Sequence, residues 1–168
     1  IENVHNHRSE LGILYLNDFN RKAMQKIFAE NDLEFTELFQ CDVYVYLSNH
    51  HPLAGRHKIT FEELGDYPCL SFEQGTYNSF YFAEEVFSTL QYKQMIKADD
   101  RATMLNLMVG MNGYTLCSGI ICEELNGDGY SAIPLETDEK MTIGYIKRKG
   151  MHISHIGKSY IEILRGYA

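Results

Sequence analysis

Residues 39–75, FQCDVYVYLSNHHPLAGRHKITFEELGDYPCLSFEQG, constrain the fold more than any other stretch. Val43, Val45 and Leu47 alternate with Tyr44 and Tyr46, which is the period of a half-buried strand. The strand stops at Ser48-Asn49, and a tight turn, HHPLAG, follows. Pro52 pre-sets the backbone of that turn. Thr60 and Glu63 have the spacing of a capping box and open a short helix. A second apolar strand over 67–72 then runs into a glycine loop at Gly75. A chain that alternates in this way buries a sheet against helices.

The same alternation extends along all 168 residues. Residues 11–16 (LGILYL) predict a buried strand, and Asn17 or Asp18 caps a helix running to about Glu30. Phe19, Ala23, Ile27 and Phe28 supply its inner face. Strands are predicted over 33–38, 43–47, 67–72, 92–98, 114–117, 131–135 and 141–147. A helix over 79–90 follows from the spacing of Ala83, Val86, Phe87 and Leu90. A helix over 101–111 is capped by Asp99 or Asp100 and closed by Asn112-Gly113. Ser154 caps a last helix with Ile156, Tyr160, Ile161 and Leu164 inward. Strands separated by helices predict mostly parallel sheets flanked by helices. Residues 43–47 and 141–147 are the two cross-over strands between two lobes.

Charge and motifs exclude several functions. The chain carries 15 Lys and Arg against 23 Asp and Glu, a net charge of −8, with no basic stretch. Gripping nucleic acid needs a cationic face, which these residues do not supply. No apolar run reaches membrane-spanning length and no signal-peptide pattern opens the chain. Cys41, Cys69, Cys117 and Cys122 lack a CxxC spacing and read as reduced thiols, with a redox role for Cys117 and Cys122 as the alternative. No G-x-S-x-G, Walker loop or H-E-x-x-H occurs. His50-His51 and the pair His152 and His155 read as surface histidines rather than metal ligands. Glu62-Glu63, Glu84-Glu85 and Glu123-Glu124 read as solvated faces. No catalytic residue, metal or cofactor is assigned, and the chain is read as a non-enzyme.

The order of these elements, with the quartet His51-Pro52-Leu53-Ala54 after a hydrophobic strand, resembles the effector-binding domain of LysR-type transcriptional regulators. IENVHNHRSELGILYL is similar to the family's helix-then-strand segment past the middle of its first lobe, with Glu10 where aspartate is usual. IGYIKRKGMHISHIGKSYIEILRG is similar to its returning strand and last helix. The resemblance implies a two-lobed, periplasmic-binding-protein-like (type II) α/β fold. Lobe I comprises 1–48 and 147–168, incomplete at its N-terminus, and lobe II comprises 49–146. It implies a cytoplasmic sensor that binds a small-molecule effector, a carboxylate in most of the family, between the lobes. DNA is contacted only through an N-terminal helix-turn-helix outside these residues, and the domain forms a homodimer or higher homo-oligomer. Strand 11–16 would lie at a sheet edge here, which adds to the expectation of self-association. A transporter's solute-binding protein is the alternative reading, disfavoured by HPLA and the absent export signal.

Independently of family, ligands of open α/β sheets sit beyond the carboxyl ends of parallel strands. That rule selects Gln74, Gly75, Thr76, Tyr77 and Asn78 after strand 67–72, Asp100 after strand 92–98, and Ser118 and Gly119 after strand 114–117. Tyr15 and Leu16 are the corresponding edge of the first lobe. Gly75 allows close backbone approach, and the start of the next helix suits an anion. Thr76 and Asn78 either contact ligand or cap that helix. Asp100 either contacts ligand or caps its own. Ser118-Gly119 replaces the Leu-Pro common in the family at this strand end.

Overall fold

A computed structural model describes residues 1–73, 80–83, 85–121 and 127–167. The chain separates into two units, residues 1–41 with 139–168, and residues 42–138. The described elements are α1 (Glu2–His5), β1 (Gly12–Leu16), α2 (Arg21–Glu30), β2 (Leu33–Asp42), β3 (Tyr44–Ser48), α3 (Phe61–Leu64), β4 (Cys69–Phe72), a 3-10 turn (Phe80–Phe82), β5 (Met95–Ala98), α4 (Arg101–Met111), β6 (Tyr114–Cys117), β7 (Tyr130–Pro134), β8 (Lys140–Arg148) and α5 (His155–Arg165).

The first unit is built on a sheet of order β1-β8-β2, with β1 antiparallel to β8. Gly144 of β8 lies so close to β2 that a Cβ there would meet the Phe35 ring and the Thr36 carbonyl at 2.4 Å. The second unit holds a sheet of order β5-β4-β6-β3-β7. There β4 pairs in parallel with β5 and β6, while β3 is antiparallel to both β6 and β7. In the second sheet β5, β4, β6 and β7 run one way, and β3, the strand that enters the unit, runs against its neighbours β6 and β7. Strand β3 is hydrogen-bonded on both sides within the second sheet and belongs with it, not with the first lobe. Strand β8 pairs with β1 along Gly12–Leu16 and belongs with the first unit.

Three helix expectations change. Helix α2 begins at Arg21 rather than at residue 18, because Asn17 and Asn20 close a turn on each other. Each side-chain oxygen accepts the other's backbone N–H at 2.9 Å. The later start turns Met24 and Phe28 inward and leaves Phe19 exposed.

In 79–90 the described residues form the 3-10 turn and further turns, not an α-helix. Phe87 has φ 61, outside helical geometry. Glu85 is drawn inward, where its carboxylate accepts from Ser71 Oγ and Phe72 N, both at 3.0 Å. The Glu84-Glu85 pair is thus not a solvated face at Glu85, which is buried.

Ser154 caps α5, accepting from Gly157 N at 3.1 Å. Glu10 accepts from the Ser154 backbone and hydroxyl, which holds its carboxyl below the usual carboxylate range. The buried side of α5 runs through Gly157 and Ile161, since Gly157 sits against Ile153 and Glu10. Ile156 and Tyr160 consequently face outward, with Ile156 81% exposed.

Tyr46, Leu70, Ala98, Met104 and Met108 form one buried cluster of the second unit, which joins α4 to the sheet. Full burial of a Leu or Met side chain, as at Leu70, Met104 and Met108, stabilises by roughly 1.5–3 kcal/mol.

Candidate functional site

The second sheet brings three strand ends to one edge. Phe72 of β4 is level with Ala98 of β5. Cys69 of β4 is level with Tyr114 of β6, so Cys117 and Phe72, each three residues on, end together. Glu73, Asp100 and the Ser118-Gly119 turn emerge from this carboxyl edge. The ends of β5 and β6 lie two strand spacings apart, about 10 Å. Gln74, Gly75, Thr76, Tyr77 and Asn78 lie outside the described residues.

Asp100 is the N-cap of α4, and its carboxylate accepts from Thr103 N at 2.8 Å. Those bonds to Thr103 hold its pKa below the usual value. The turn after β6 is compact. Gly119 has φ 76, and a Cβ there would meet the Tyr44 ring at 2.5 Å. Glycine thus lets this turn lie on Tyr44. Gly119 N donates to Cys117 Sγ at 3.3 Å, and Ile120 N donates to Ser118 Oγ at 3.4 Å. Lys97 stands 3.5 Å from Glu73 at the same edge.

In the first unit Tyr15 is half-buried and Leu16 is a fully buried core residue. The loop that follows contains buried Asn17 and Asn20, and Arg21 donates to Thr142 Oγ1 at 2.8 Å. The Arg21–Thr142 contact carries no sequence signal, since it depends on a partner 121 residues away. Tyr46, set on the opposite face from Val45 in the half-buried strand read from the sequence, is buried as well. Its ring stacks on Tyr130 at 5.5 Å, and its buried hydroxyl has no hydrogen-bond partner among the described residues. Burial pushes that phenol's pKa up.

The HPLA turn lies apart from the carboxyl edge. His51 is buried, contrary to a surface histidine, and is tied to Leu53 N and to the Asn112 carbonyl. Among the described residues no group of three or more His, Cys, Asp or Glu side chains is placed to hold a metal ion. No described helix is long and apolar enough to cross a membrane.

The family model described as the LysR substrate binding domain matches residues 1–168. The chain belongs to this family. A curated relative, the malolactic fermentation system transcriptional activator of Lactococcus lactis subsp. lactis (strain IL1403), is 27% identical over 137 residues, 79% of this chain and 46% of its own length. The chain spans about half the length of that relative. Among solved structures, HinK, a LysR family transcriptional regulator from Pseudomonas aeruginosa, superposes with a TM-score of 0.64 at 15% identity, over 99% of this chain and 55% of that one. The effector binding domain of QuiR in complex with shikimate superposes with a TM-score of 0.59 at 17% identity, over 99% of this chain and 75% of that one. At these identities the likeness is one of fold: that of LysR-type substrate-binding domains, type II periplasmic-binding-protein-like. The LysR family assignment therefore rests on the match across the whole chain.

Proposed function

We propose that this chain is the effector-sensing part of a cytoplasmic LysR-type transcriptional regulator, without enzymatic activity, and that its effector is a small anionic metabolite. The observation that carries this reading is the level carboxyl edge of β4, β5 and β6. The effector contacts are assigned to Gln74, Gly75, Thr76, Tyr77, Asn78, Ser118 and Gly119, with Asp100 setting the start of α4 beside them. Tyr15 and Leu16 mark the matching strand end of the first unit, with contact through Tyr15 and the neighbouring backbone. Effector binding would favour one arrangement of subunits over another, and so change how DNA-binding segments outside these residues engage a promoter.

The working unit is a homodimer or higher homo-oligomer. The exposed Ile156, Tyr160 and Ile163 of α5 support association, since such side chains gain by leaving water. Sedimentation at micromolar concentration tests it, and a species that stays at 19.4 kDa contradicts it.

Calorimetry with a panel of small carboxylates tests the effector assignment, beginning with shikimate, which the effector binding domain of QuiR holds in its complex. A carboxylate that raises the melting temperature should lose that effect in Thr76→Trp, with the unliganded melt unchanged. Survival of the shift in Thr76→Trp would place the site elsewhere.

A further inference from the structure

The second unit contains a cavity of about 560 Å³ at the end of the sheet opposite the proposed effector edge. It opens beside Tyr114, at the amino end of β6, and is walled by Phe61, Tyr67, Phe87 and Tyr92. Its volume falls within the range of about 300–1,000 Å³ that small-molecule sites occupy.

The walls are held in place before any ligand arrives. Phe61 and Phe87 meet edge to face with centroids 5.0 Å apart. Tyr67 packs on the buried His51 ring at 4.4 Å. Tyr92 donates from its hydroxyl to the Phe87 carbonyl at 3.1 Å. Fixed aromatic faces of this kind favour a flat ring, through offset or edge-to-face contact.

The charges at the mouth decide what the ring carries. Lys93 is the cation among the lining residues, and it stands 3.8 Å from Asp66. Glu62 lines the same mouth. Behind the wall, burial raises the pKa of both Cys69 and Tyr92, and the buried Glu85 carboxylate adds to it. A ligand carboxylate would meet more negative than positive charge here, since Lys93 is already paired with Asp66 and Glu62 adds a further negative charge.

We propose that this cavity is a second small-molecule site, taking a planar, two-ring aromatic compound that carries no negative charge. It does not depend on the proposed effector site.

The test uses naphthalene-2-methanol, 2-naphthoate and 2-naphthylmethylamine as probes, titrated into the whole chain and followed by backbone amide NMR and calorimetry. The alcohol and the amine should both bind more tightly than the naphthoate, and the alcohol should shift the amides of Gly65 and Lys93, leaving those of Asp100 and Gly119 in place. Phe61→Ala and Leu90→Asp should each weaken it tenfold or more, about 1.4 kcal/mol. Leu90 is 42% exposed at the rim, so Leu90→Asp keeps the test intact if Phe61→Ala fails to fold. No binding of the alcohol up to its solubility, tighter binding of the naphthoate than of the alcohol or the amine, shifts confined to Asp100 and Gly119, or an unchanged affinity in Leu90→Asp would each overturn the proposal.

Discussion

His51 Nε2 donates to the main-chain carbonyl of Asn112 at 2.9 Å, which ties the HPLA turn to the end of α4. Leu53 N donates to Nδ1 at 3.0 Å, and this fixes the proton on Nε2. The ring thus satisfies a carbonyl at a helix terminus and an N–H within a turn. His51→Ala strands both groups, and a lost buried partner costs about 1–3 kcal/mol. Urea unfolding should show a loss of that order, while affinity for any effector stays within tenfold. A larger affinity loss would give His51 a ligand role.

The same burial gives the domain a pH dependence. Burial holds the His51 imidazole below its usual pKa of 6.5, because the folded state disfavours the charged ring. The unfolded chain therefore binds this proton first as pH falls. The stabilisation is fully present above about pH 6.5 and is lost as pH drops toward the lower folded value. Urea midpoints should fall between pH 7.5 and pH 5.5, and the part of that fall due to His51 should vanish in His51→Gln.

Glu85 fastens the turn after β4 to the strand itself, through Ser71 Oγ and Phe72 N. Hydrogen bonds to a charged group are worth about 1.5–3 kcal/mol. Glu85→Ala should lower stability by that order. Glu85→Gln, which keeps one acceptor oxygen, should lose less. Equal losses in the two variants would show that charge rather than hydrogen bonding matters there.

Cys69 is the least reactive of the described thiols. Burial, assisted by the Glu85 charge, pushes its pKa up to about 12. The thiolate is the reactive form, so alkylation at pH 8 should mark Cys41 and Cys117 first. Peptide mass mapping should find Cys69 modified only after unfolding. Early labelling of Cys69 in the folded chain would contradict its placement at the base of β4.

Local signals were legible wherever a few neighbouring residues decide the outcome. The Thr60 and Glu63 capping box forms as spaced, with Thr60 N donating to Glu63 Oε2 at 2.9 Å. Asp100 and Ser154 cap their helices, and Asn112 takes the left-handed conformation at φ 50 that ends α4. The alternation in 43–47 marks a strand, which pairs with β6 and β7 and is buried more fully than the half-buried period implied. The order of these elements was enough to point to the LysR family.

What the sequence could not decide rests on contacts between distant residues. Period alone cannot say which face of α5 turns inward; Gly157 against Ile153 and Glu10 decides it, and Ile156 is left in water. Helical spacing in 79–90 is overridden because Glu85 gains buried donors from β4 that no neighbour in its own segment offers. The direction of β3 and the unit to which it belongs follow from pairing with strands about 70 and 85 residues later. The sequence by itself determined the elements, their caps and their family. The tertiary structure alone decided which polar groups are buried, because burial depends on partners that the fold brings from far along the chain.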